Sequence, residues 1–438
     1  MNKPILDINE VPSKTQLITL SLQHMFAMFG STILVPKLVG LSPAIALLTS
    51  GIATIIFLII TQFKVPAYLG SSFAFIAPIL IAAGGLNENG MSVNPGNAMI
   101  GAMAVGVTYG LVSLIIWKAG YKWLMRLLPP IVVAPVIMVI GLALSGTAVD
   151  MAMNVNGEYN FLHFTAALVT LFTAIFFTVY FKNILSAMPI LLGLIVGYIY
   201  SASVGIVDFT AVKSATMFEM PEFLFPGIHY EFKITSTILL AMVPIVLVTI
   251  SEHIGHQLVL GRVVNRNYVK DPGLHRSIFA DGLGTFVSAF FGGPPKTTYG
   301  ENIGVLAITR VYSVYVILGA AVFAILFSFL GKVMAIIQTI PTAVLGGISI
   351  LLFGIIASSG LRMLVENKID FSKNRNLVIS SVILVIGIGG AALKFSESFA
   401  IEGMALAAII GVLLNVILPG REEAADDEDE VNMKKNIA

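Results

Sequence analysis

The chain alternates long apolar stretches with short polar connections along almost its entire length. An α-helix needs about 20 apolar residues to cross a hydrocarbon core about 30 Å thick. Fourteen stretches are candidates, at 17–36, 43–62, 66–84, 98–117, 129–148, 164–181, 184–207, 235–260, 277–292, 295–309, 313–330, 341–360, 377–392 and 401–418. The pattern predicts an all-α polytopic membrane protein with about fourteen transmembrane spans.

The distribution of basic residues predicts how these spans are oriented. With a cytoplasmic N terminus, 19 of the 25 Lys and Arg residues fall on the cytoplasmic side and 6 on the other side. Cytoplasmic loops carry such an excess of Lys and Arg. We therefore expect both termini in the cytoplasm. We expect no cleavable signal peptide, because the first apolar stretch is too long and many more follow it.

The third and tenth spans differ from ordinary lipid-facing helices. Their starts, at 66–78 and 294–304, mix proline, glycine and hydroxyl side chains, which disfavour a helix. Such paired interruptions in two halves of a chain indicate a transporter's binding site. Each span is third in a set of seven, and since seven is odd, the two sets enter the membrane from opposite sides. The pattern favours an inverted repeat; two short kinked helices are the alternative.

The composition excludes several classes of protein. The chain is 57% apolar and only 11% charged, whereas soluble domains carry about 25% charged residues. It has no cysteine, which excludes disulfides, thiol nucleophiles and cysteine-held metals. Its basic residues are scattered singly, so we expect no nucleic-acid partner, and without a P-loop or an HExxH motif we expect neither ATP hydrolysis nor a resident metal.

One acidic run stands apart from the rest of the chain. The net charge of +1 conceals seven acidic residues within 422–430. Blocks of like charge repel one another and remain solvated. The run therefore predicts a disordered cytoplasmic tail at 421–438.

Ionisable residues within the spans are functional candidates, because a charge inside a bilayer is costly. They are His24, Glu252, His253, His256, Asp281, Lys296 and Glu301. Glu252 and His256 lie four residues apart and share one helix face, so they form either a substrate and proton site or an ion pair that packs helices. We expect His253, which points elsewhere, to be a packing or capping residue.

Three other candidates have two interpretations each. Glu301 lies beside Gly300 in the interrupted tenth span, where a desolvated carboxyl group can serve proton coupling; otherwise it faces a loop and is hydrated. Asp281 lies among small residues, where a structural hydrogen bond is favoured over substrate contact. His24 is either a buried, hydrogen-bonded histidine or a site residue.

Four motifs resemble the nucleobase/ascorbate transporter family, and the resemblance covers the whole chain except its tails. Glu301-Asn-Ile-Gly, followed after four positions by Thr309-Arg310, is similar to the family's signature. Gln23-His24 resembles a first-span pair, and 251–256 resembles an eighth-span carboxylate motif. The segment 68–75 provides the fourth motif, in span 3.

The resemblance implies a fold of two inverted seven-span repeats, divided into a core domain and a gate domain. A cytoplasmic N-terminal tail would occupy 1–14. The core domain would comprise spans 1–4 and 8–11, at 15–128 and 235–332, and the gate domain spans 5–7 and 12–14, at 129–234 and 333–420. Short extended strands would interrupt spans 3 and 10. The family also implies a homodimer formed through the gate domains.

The resemblance further implies which residues form the site. Glu252 and Glu301 would contact the substrate by side chain, Phe73 and Gly300 by backbone amide, and Tyr299 would form a wall. His256 would support Glu252, with His24 and Asp281 as further proton-coupling or supporting residues. Ser349 and Phe353 would face the site from the gate domain, although Phe353 stands where we expect a tyrosine. Ser31 stands where alanine is common.

The implied function is uracil import by proton symport across a bacterial cytoplasmic (inner) membrane, with the proton gradient as energy source and no cofactor. The signature begins with Glu301, where purine-type members have Gln. A glutamic acid offers a donor and an acceptor together only when it is protonated, so recognition would depend on the proton. Purine or xanthine permeases, and anion carriers of the sulfate-permease fold, are the transporter alternatives. A membrane enzyme would need a nucleophile or metal set that the sequence lacks.

Overall fold

The computed structural model of the protein describes residues 4–87, 90–181, 184–396 and 399–420, and these are mostly helical. The first half contains α1 (Lys14–Leu38), α2 (Pro43–Ile60), β1 (Leu69–Ser71), α3 (Ile76–Ala83), α4 (Pro95–Ala119), α5 (Lys122–Leu127), α6 (Pro130–Leu142), α7 (Ser145–Met153), β2 (Asn154–Val155), β3 (Glu158–Tyr159), α8 (Phe161–Tyr180) and α9 (Pro189–Ser203). The predicted acidic tail at 421–438 lies outside the described residues.

The second half has a similar sequence of elements. It contains α10 (Thr210–Ser214), α11 (Ser236–Met242), α12 (Ile245–Val264), α13 (Leu274–Phe290), β4 (Lys296–Thr298), α14 (Gly300–Thr309), α15 (Val314–Ser328), α16 (Gly331–Gln338), α17 (Thr342–Glu366), α18 (Asn374–Ile388), β5 (Ala392–Ser396), β6 (Phe399–Glu402) and α19 (Gly403–Ile417).

Fewer helices are long enough to span a membrane than the fourteen apolar stretches predict. Among the described residues, seven helical segments are long and apolar enough, or eight if α15 and α16, bent by 83°, form one span. Each predicted stretch does contain a helix, but several are broken or short, as in α14 with 10 residues. The chain is therefore a multi-pass membrane protein, while its fourteen-span count stays a prediction.

Local sequence explains where these helices begin and end. Ser42 accepts a hydrogen bond from the Ile45 N–H, and Pro43 follows it as the first residue of α2. This is a favourable helix start, because Pro needs no hydrogen-bond acceptor there. Gly84 ends α3 in the left-handed conformation, with φ +76°.

The two interrupted segments meet as a pair of short strands. β1 and β4 are antiparallel, with Leu69 opposite Thr298 and Ser71 opposite Lys296. Prolines before each strand disfavour helix, and pairing satisfies backbone groups that lipid would leave without partners. The strands expected in spans 3 and 10 are present. α14 begins directly after β4 and α3 shortly after β1, so the starts of both helices lie near the same crossing.

The helices pack in two groups. α13 packs on α2 and α4, and α15 packs on α1 and α2, whereas α17 packs on α6, α7 and α8 and α18 packs on α19. α12, which carries three of the candidate residues, contacts α6 and α19 of the second group as well as β4 and α14 of the first. The candidate site therefore lies where the two groups meet.

The N-terminal segment before α1 is fixed to the rest of the protein. The Tyr312 N–H donates to the Leu6 carbonyl over 2.8 Å, and the Val314 N–H donates to the Ile8 carbonyl over 2.9 Å. Ser313 donates to the Glu10 carbonyl over 2.7 Å. The described part of the predicted N-terminal tail thus lies alongside the connection between α14 and α15.

Candidate functional site

The site is built around the crossing of β1 and β4. Just beyond the strands, a 3₁₀ turn begins at Phe73 and α14 begins at Gly300. The first N–H groups of a helix have no partner within it. The amides of Phe73 and Gly300, the first residues of these two elements, therefore lie at the crossing with no acceptor in their own helical turn.

Two carboxyl groups lie close to the crossing. Glu252 lies on α12, and Glu301 lies in the first turn of α14. They are close enough for their charges to interact, and the charge of Asp281 is also within electrostatic range of Glu252. Both glutamates are half-buried. The structure therefore brings together the two residues that the sequence singled out in separate motifs, and leaves both accessible to a ligand.

His256 approaches the start of α14 very closely. A Cβ built on Gly300 would lie 2.9 Å from the His256 Nε2 atom. The other ring nitrogen, Nδ1, is 3.5 Å from the Thr298 hydroxyl. The imidazole is thus held between β4 and the amide of Gly300, one helical turn from Glu252.

His253 is tied to a neighbouring helix rather than packed among apolar groups. Its Nδ1 is 2.8 Å from Asp281 Oδ2, and its Nε2 is 2.8 Å from the Ser277 hydroxyl. Thr298 Oγ1 lies 3.3 Å from the same Nδ1. All of these residues are buried. The sequence predicted a packing or capping residue but not this network, because only the fold shows that Asp281 of α13 faces α12.

His24 is a buried, hydrogen-bonded histidine. Its Nε2 contacts the Asn302 side-chain carbonyl, and the Asn302 amide donates to the Pro66 carbonyl over 2.9 Å. These bonds join α1, α14 and the start of the third-span segment. His24 thus supports the backbone around the site. Asn302 lies within the signature that the sequence analysis singled out. Its hydrogen bond to Pro66 could not be predicted, because it depends on where the third span packs.

Aromatic rings enclose the site. The Tyr299 ring fills the space where Gly70 lacks a Cβ, and its hydroxyl donates to the Ser71 carbonyl over 3.1 Å. The rings of Phe73 and Phe353 meet edge to face, with centroids 6.0 Å apart. Phe73 follows β1 and Phe353 lies on α17, so this contact joins the two helix groups at the site.

Two other residues expected near the site are fully buried. The Ser349 hydroxyl donates to the Leu345 carbonyl of its own helix over 2.7 Å. The buried Ser31 hydroxyl lies beside the Glu301 carboxyl group, to which it can donate a hydrogen bond.

Gly300→Ala is expected to weaken substrate binding about tenfold, because overpacking at a tight contact costs about 1–3 kcal/mol. The new methyl would press on the His256 ring and move the Gly300 amide, which the family resemblance implies is a substrate contact. Gly304→Ala, on the same helix with nothing within 4 Å of the added Cβ, is the matched control. Equilibrium binding to both purified variants measures the effect, and equal affinities would contradict the close approach.

Comparison with known proteins identifies the class. The sequence model of a permease family, Xan_ur_permease, matches residues 15–395. The chain belongs to this family, the nucleobase transporters that its motifs resemble, and it is a membrane transporter, not an enzyme.

Curated relatives extend over nearly the whole chain. The uracil permease of Bacillus caldolyticus is 62% identical and covers 100% of both chains. That of Bacillus subtilis (strain 168) is 54% identical, over 97% of this chain and 98% of the relative. That of Escherichia coli (strain K12) is 46% identical, over 95% and 94%. The permease assignment therefore rests on sequence similarity and does not depend on the fold.

Solved structures share the fold at low identity. The transmembrane domain of the cyanobacterial bicarbonate transporter BicA has a TM-score of 0.64 and 14% identity, covering 92% of this chain and 97% of that one. The inward-facing murine Solute Carrier 26 family member A9 has a TM-score of 0.67 and 12% identity, covering 93% and 69%. The chain therefore has the fold of these transporters.

Proposed function

We propose that this permease imports uracil across the bacterial cytoplasmic membrane together with protons. The observation that carries the proposal is that Glu252 and Glu301 lie close together where two interrupted segments cross, and that a 3₁₀ turn and a helix begin there at Phe73 and Gly300. Relatives named as uracil permeases, at 45–62% identity over nearly the full chain, support the substrate.

The chemistry of uracil suits these groups. Uracil is planar and neutral, with two ring N–H donors and two carbonyl acceptors. A carboxylate accepts from a ring N–H, a backbone amide donates to a carbonyl, and the Phe73 ring offers an apolar face. A buried polar group left unpaired is costly, so the site rejects bases whose edges do not match.

Glu301 connects recognition to the proton. Only its protonated form offers a hydroxyl donor beside a carbonyl acceptor. We infer that proton binding favours uracil binding from outside, and that loss of the proton accompanies release inside. The buried Asp281–His253 pair and His24 support the backbone and side chains of this proton-coupling site.

Alternating access is supported by a difference between the two ends of α12. A cavity of about 500 Å³ opens beside Ile245, lined also by Pro78, Leu144, Gly387 and Met404. Seventeen residues further, about 25 Å along the helix, α12 contacts α17, and we infer that these contacts close the other end. Glu252 lies between these ends. We propose that a solute approaches the site from the side of this cavity while the contacts between α12 and α17 seal the opposite side.

The seal joins α12 to α17. A Cβ on Gly255 would lie 2.5 Å from the Met363 methyl, and Arg262 donates to Glu366 over 3.2 Å. Both partners of this ion pair are partly exposed, and exposed pairs contribute only about 0–1 kcal/mol. Such a contact is weak enough to open in each transport cycle.

The two packed helix groups correspond to the proposed core domain (15–128 and 235–332) and gate domain (129–234 and 333–420). In this arrangement α1–α4 and α11–α15 move as one body against α6–α9 and α17–α19. The fourteen-span inverted repeat, the cytoplasmic termini and a homodimer formed by the gate domains belong to the same proposal.

Covalent linkage across the seal is expected to stop transport. Arg262→Cys combined with Glu366→Cys, joined by a short disulfide-forming bifunctional reagent, should reduce uptake at least about tenfold, because the two groups can no longer separate. Reduction should restore uptake, and each single variant treated alike is the control. The absence of native cysteine makes the reaction specific. Full uptake by completely cross-linked protein would contradict the proposal.

An anion carrier is not favoured, although solved structures with this fold include a bicarbonate transporter. A helix N terminus such as that of α14 attracts anions. Here, however, Glu301 occupies its first turn and Glu252 lies nearby. Competition at equilibrium tests the substrate: unlabelled uracil should displace labelled uracil from the purified protein, while xanthine and sulfate should not. Displacement by xanthine or sulfate instead would overturn the assignment.

A further inference from the structure

Lys296 is a fully buried lysine at the crossing of the interrupted segments. It lies on β4, its exposed fraction is 0%, and its side chain reaches α2. The ammonium Nζ donates to the Ala46 carbonyl at 2.8 Å, the Ser50 hydroxyl at 2.9 Å and the Ser71 hydroxyl at 3.3 Å. The sequence analysis listed Lys296 among the ionisable residues within the spans, and the structure places it inside the protein.

The surroundings of this ammonium are unusual for a buried charge. A lysine ammonium has three donors, and here each meets a neutral oxygen. No carboxylate of the described residues forms an ion pair with it, whereas Lys64, Arg262 and Arg266 all pair with carboxylates. Burial of a charge without a counter-ion is costly. Such a group inside a membrane protein is a functional candidate by default.

The ammonium holds together the elements that carry the site. Ser71, one of its acceptors, lies opposite Lys296 in the strand pair, and the other two acceptors lie on α2. The Lys296 backbone is fixed as well, since its N–H donates to Thr285 of α13 over 3.0 Å. Phe73 follows Ser71 by two residues, and Gly300 follows Lys296 by four. The position of both ligand-facing amides thus depends on the contacts that Lys296 makes with β1, α2 and α13.

We propose that the Lys296 ammonium is a resident cation that fills an oxygen cage formed by Ala46, Ser50 and Ser71, and that it positions the Phe73 and Gly300 amides for the substrate. A carbonyl and two hydroxyl oxygens are also the ligands that a small hard cation prefers. The cage would accept Na⁺ if the lysine side chain were removed. The inference rests on the proposed uracil site and assigns Lys296 a positioning role there.

The first experiment removes the charge and keeps the side-chain length. Lys296→Met is expected to weaken uracil binding at least tenfold in an equilibrium assay on the purified full chain. Lys37→Met is the matched control, because Lys37 also donates to a carbonyl, that of Gln338, at 2.8 Å but away from the strands. It should bind within about twofold of the native chain. Native affinity in folded Lys296→Met would overturn the proposal.

The second experiment tests the cage itself. Lys296→Ala is expected to bind uracil weakly in choline chloride and at least fivefold more tightly in sodium chloride, while the native chain binds equally in both salts. A merely structural lysine would give no sodium effect. Folded Lys296→Ala that binds uracil equally in both salts would overturn the assignment of a cation cage.

A milder variant covers the case in which neither substitution yields folded protein. Ser50→Ala removes one cage oxygen and should weaken binding about threefold to fivefold. Thr61→Val is its control, because among the described residues the buried Thr61 hydroxyl bonds to carbonyls of the adjacent helix α2. Equal binding by both variants would overturn the proposal. Uracil binding by the native chain separates this inference from the proposed function. If the native chain does not bind uracil, the proposed function itself fails; if it does and the variants bind like their controls, only the inference about Lys296 fails.

Discussion

Replacing Glu252 by alanine is expected to reduce uracil affinity about a hundredfold or more. A hydrogen bond to a charged group contributes about 1.5–3 kcal/mol, and an unpaired buried partner adds its own penalty. Glu252 has no described substitute, because His256 is held against β4 and His253 is engaged with Asp281 and Ser277. The ring N–H of uracil would therefore lose its acceptor.

Direct binding of labelled uracil to purified Glu252→Ala measures this effect without requiring transport. Glu158→Ala, in an exposed hairpin, is the control and should retain native affinity. The thermal stability of both variants shows whether they remain folded. Unchanged affinity in folded Glu252→Ala would remove Glu252 from the substrate site.

The second large effect is the loss of coupling in Glu301→Gln. A glutamine amide offers a donor and an acceptor at every pH, much as a protonated glutamic acid does. The variant should therefore still bind uracil, but it has no proton to exchange at this position. We expect equilibration of uracil across the membrane with little or no accumulation.

An imposed proton gradient distinguishes coupling from binding. Native protein in vesicles should concentrate uracil when the gradient is applied, whereas Glu301→Gln should give the same internal level with and without it. Glu158→Gln, the same exchange in an exposed hairpin, is the matched control, because it leaves Glu301 unchanged. Accumulation against a gradient by Glu301→Gln would show that the coupled proton is carried elsewhere.

The interrupted segments illustrate what the sequence can predict. Proline and glycine near 66–78 and 294–304 indicate that helices fail there, and the spacing of the two segments predicts their correspondence. The family resemblance adds the strands. Their register, with Ser71 opposite Lys296, depends on packing by α2 and α13, and short-range patterns do not encode it. The same limit applies to span number, because hydropathy marks apolar stretches without showing where a helix breaks.

The candidate site shows a similar division. Glu252, His256 and Glu301 stand out because ionisable groups are rare inside membranes, and the fold brings these residues together. The contact of His253 with Asp281 and that of His24 with Asn302 join residues 28 and 278 positions apart, so no local pattern predicts them. Lys296 was visible as an intramembrane cation, but only its three oxygen partners reveal what it holds in place.

The most direct test of the central claim is uptake of labelled uracil by proteoliposomes that contain only this protein. With an inward proton gradient, the account predicts accumulation that unlabelled uracil blocks, that xanthine and sulfate leave unchanged, and that disappears when the gradient is collapsed. Failure to accumulate uracil in vesicles shown to hold the gradient would contradict proton-driven uracil import.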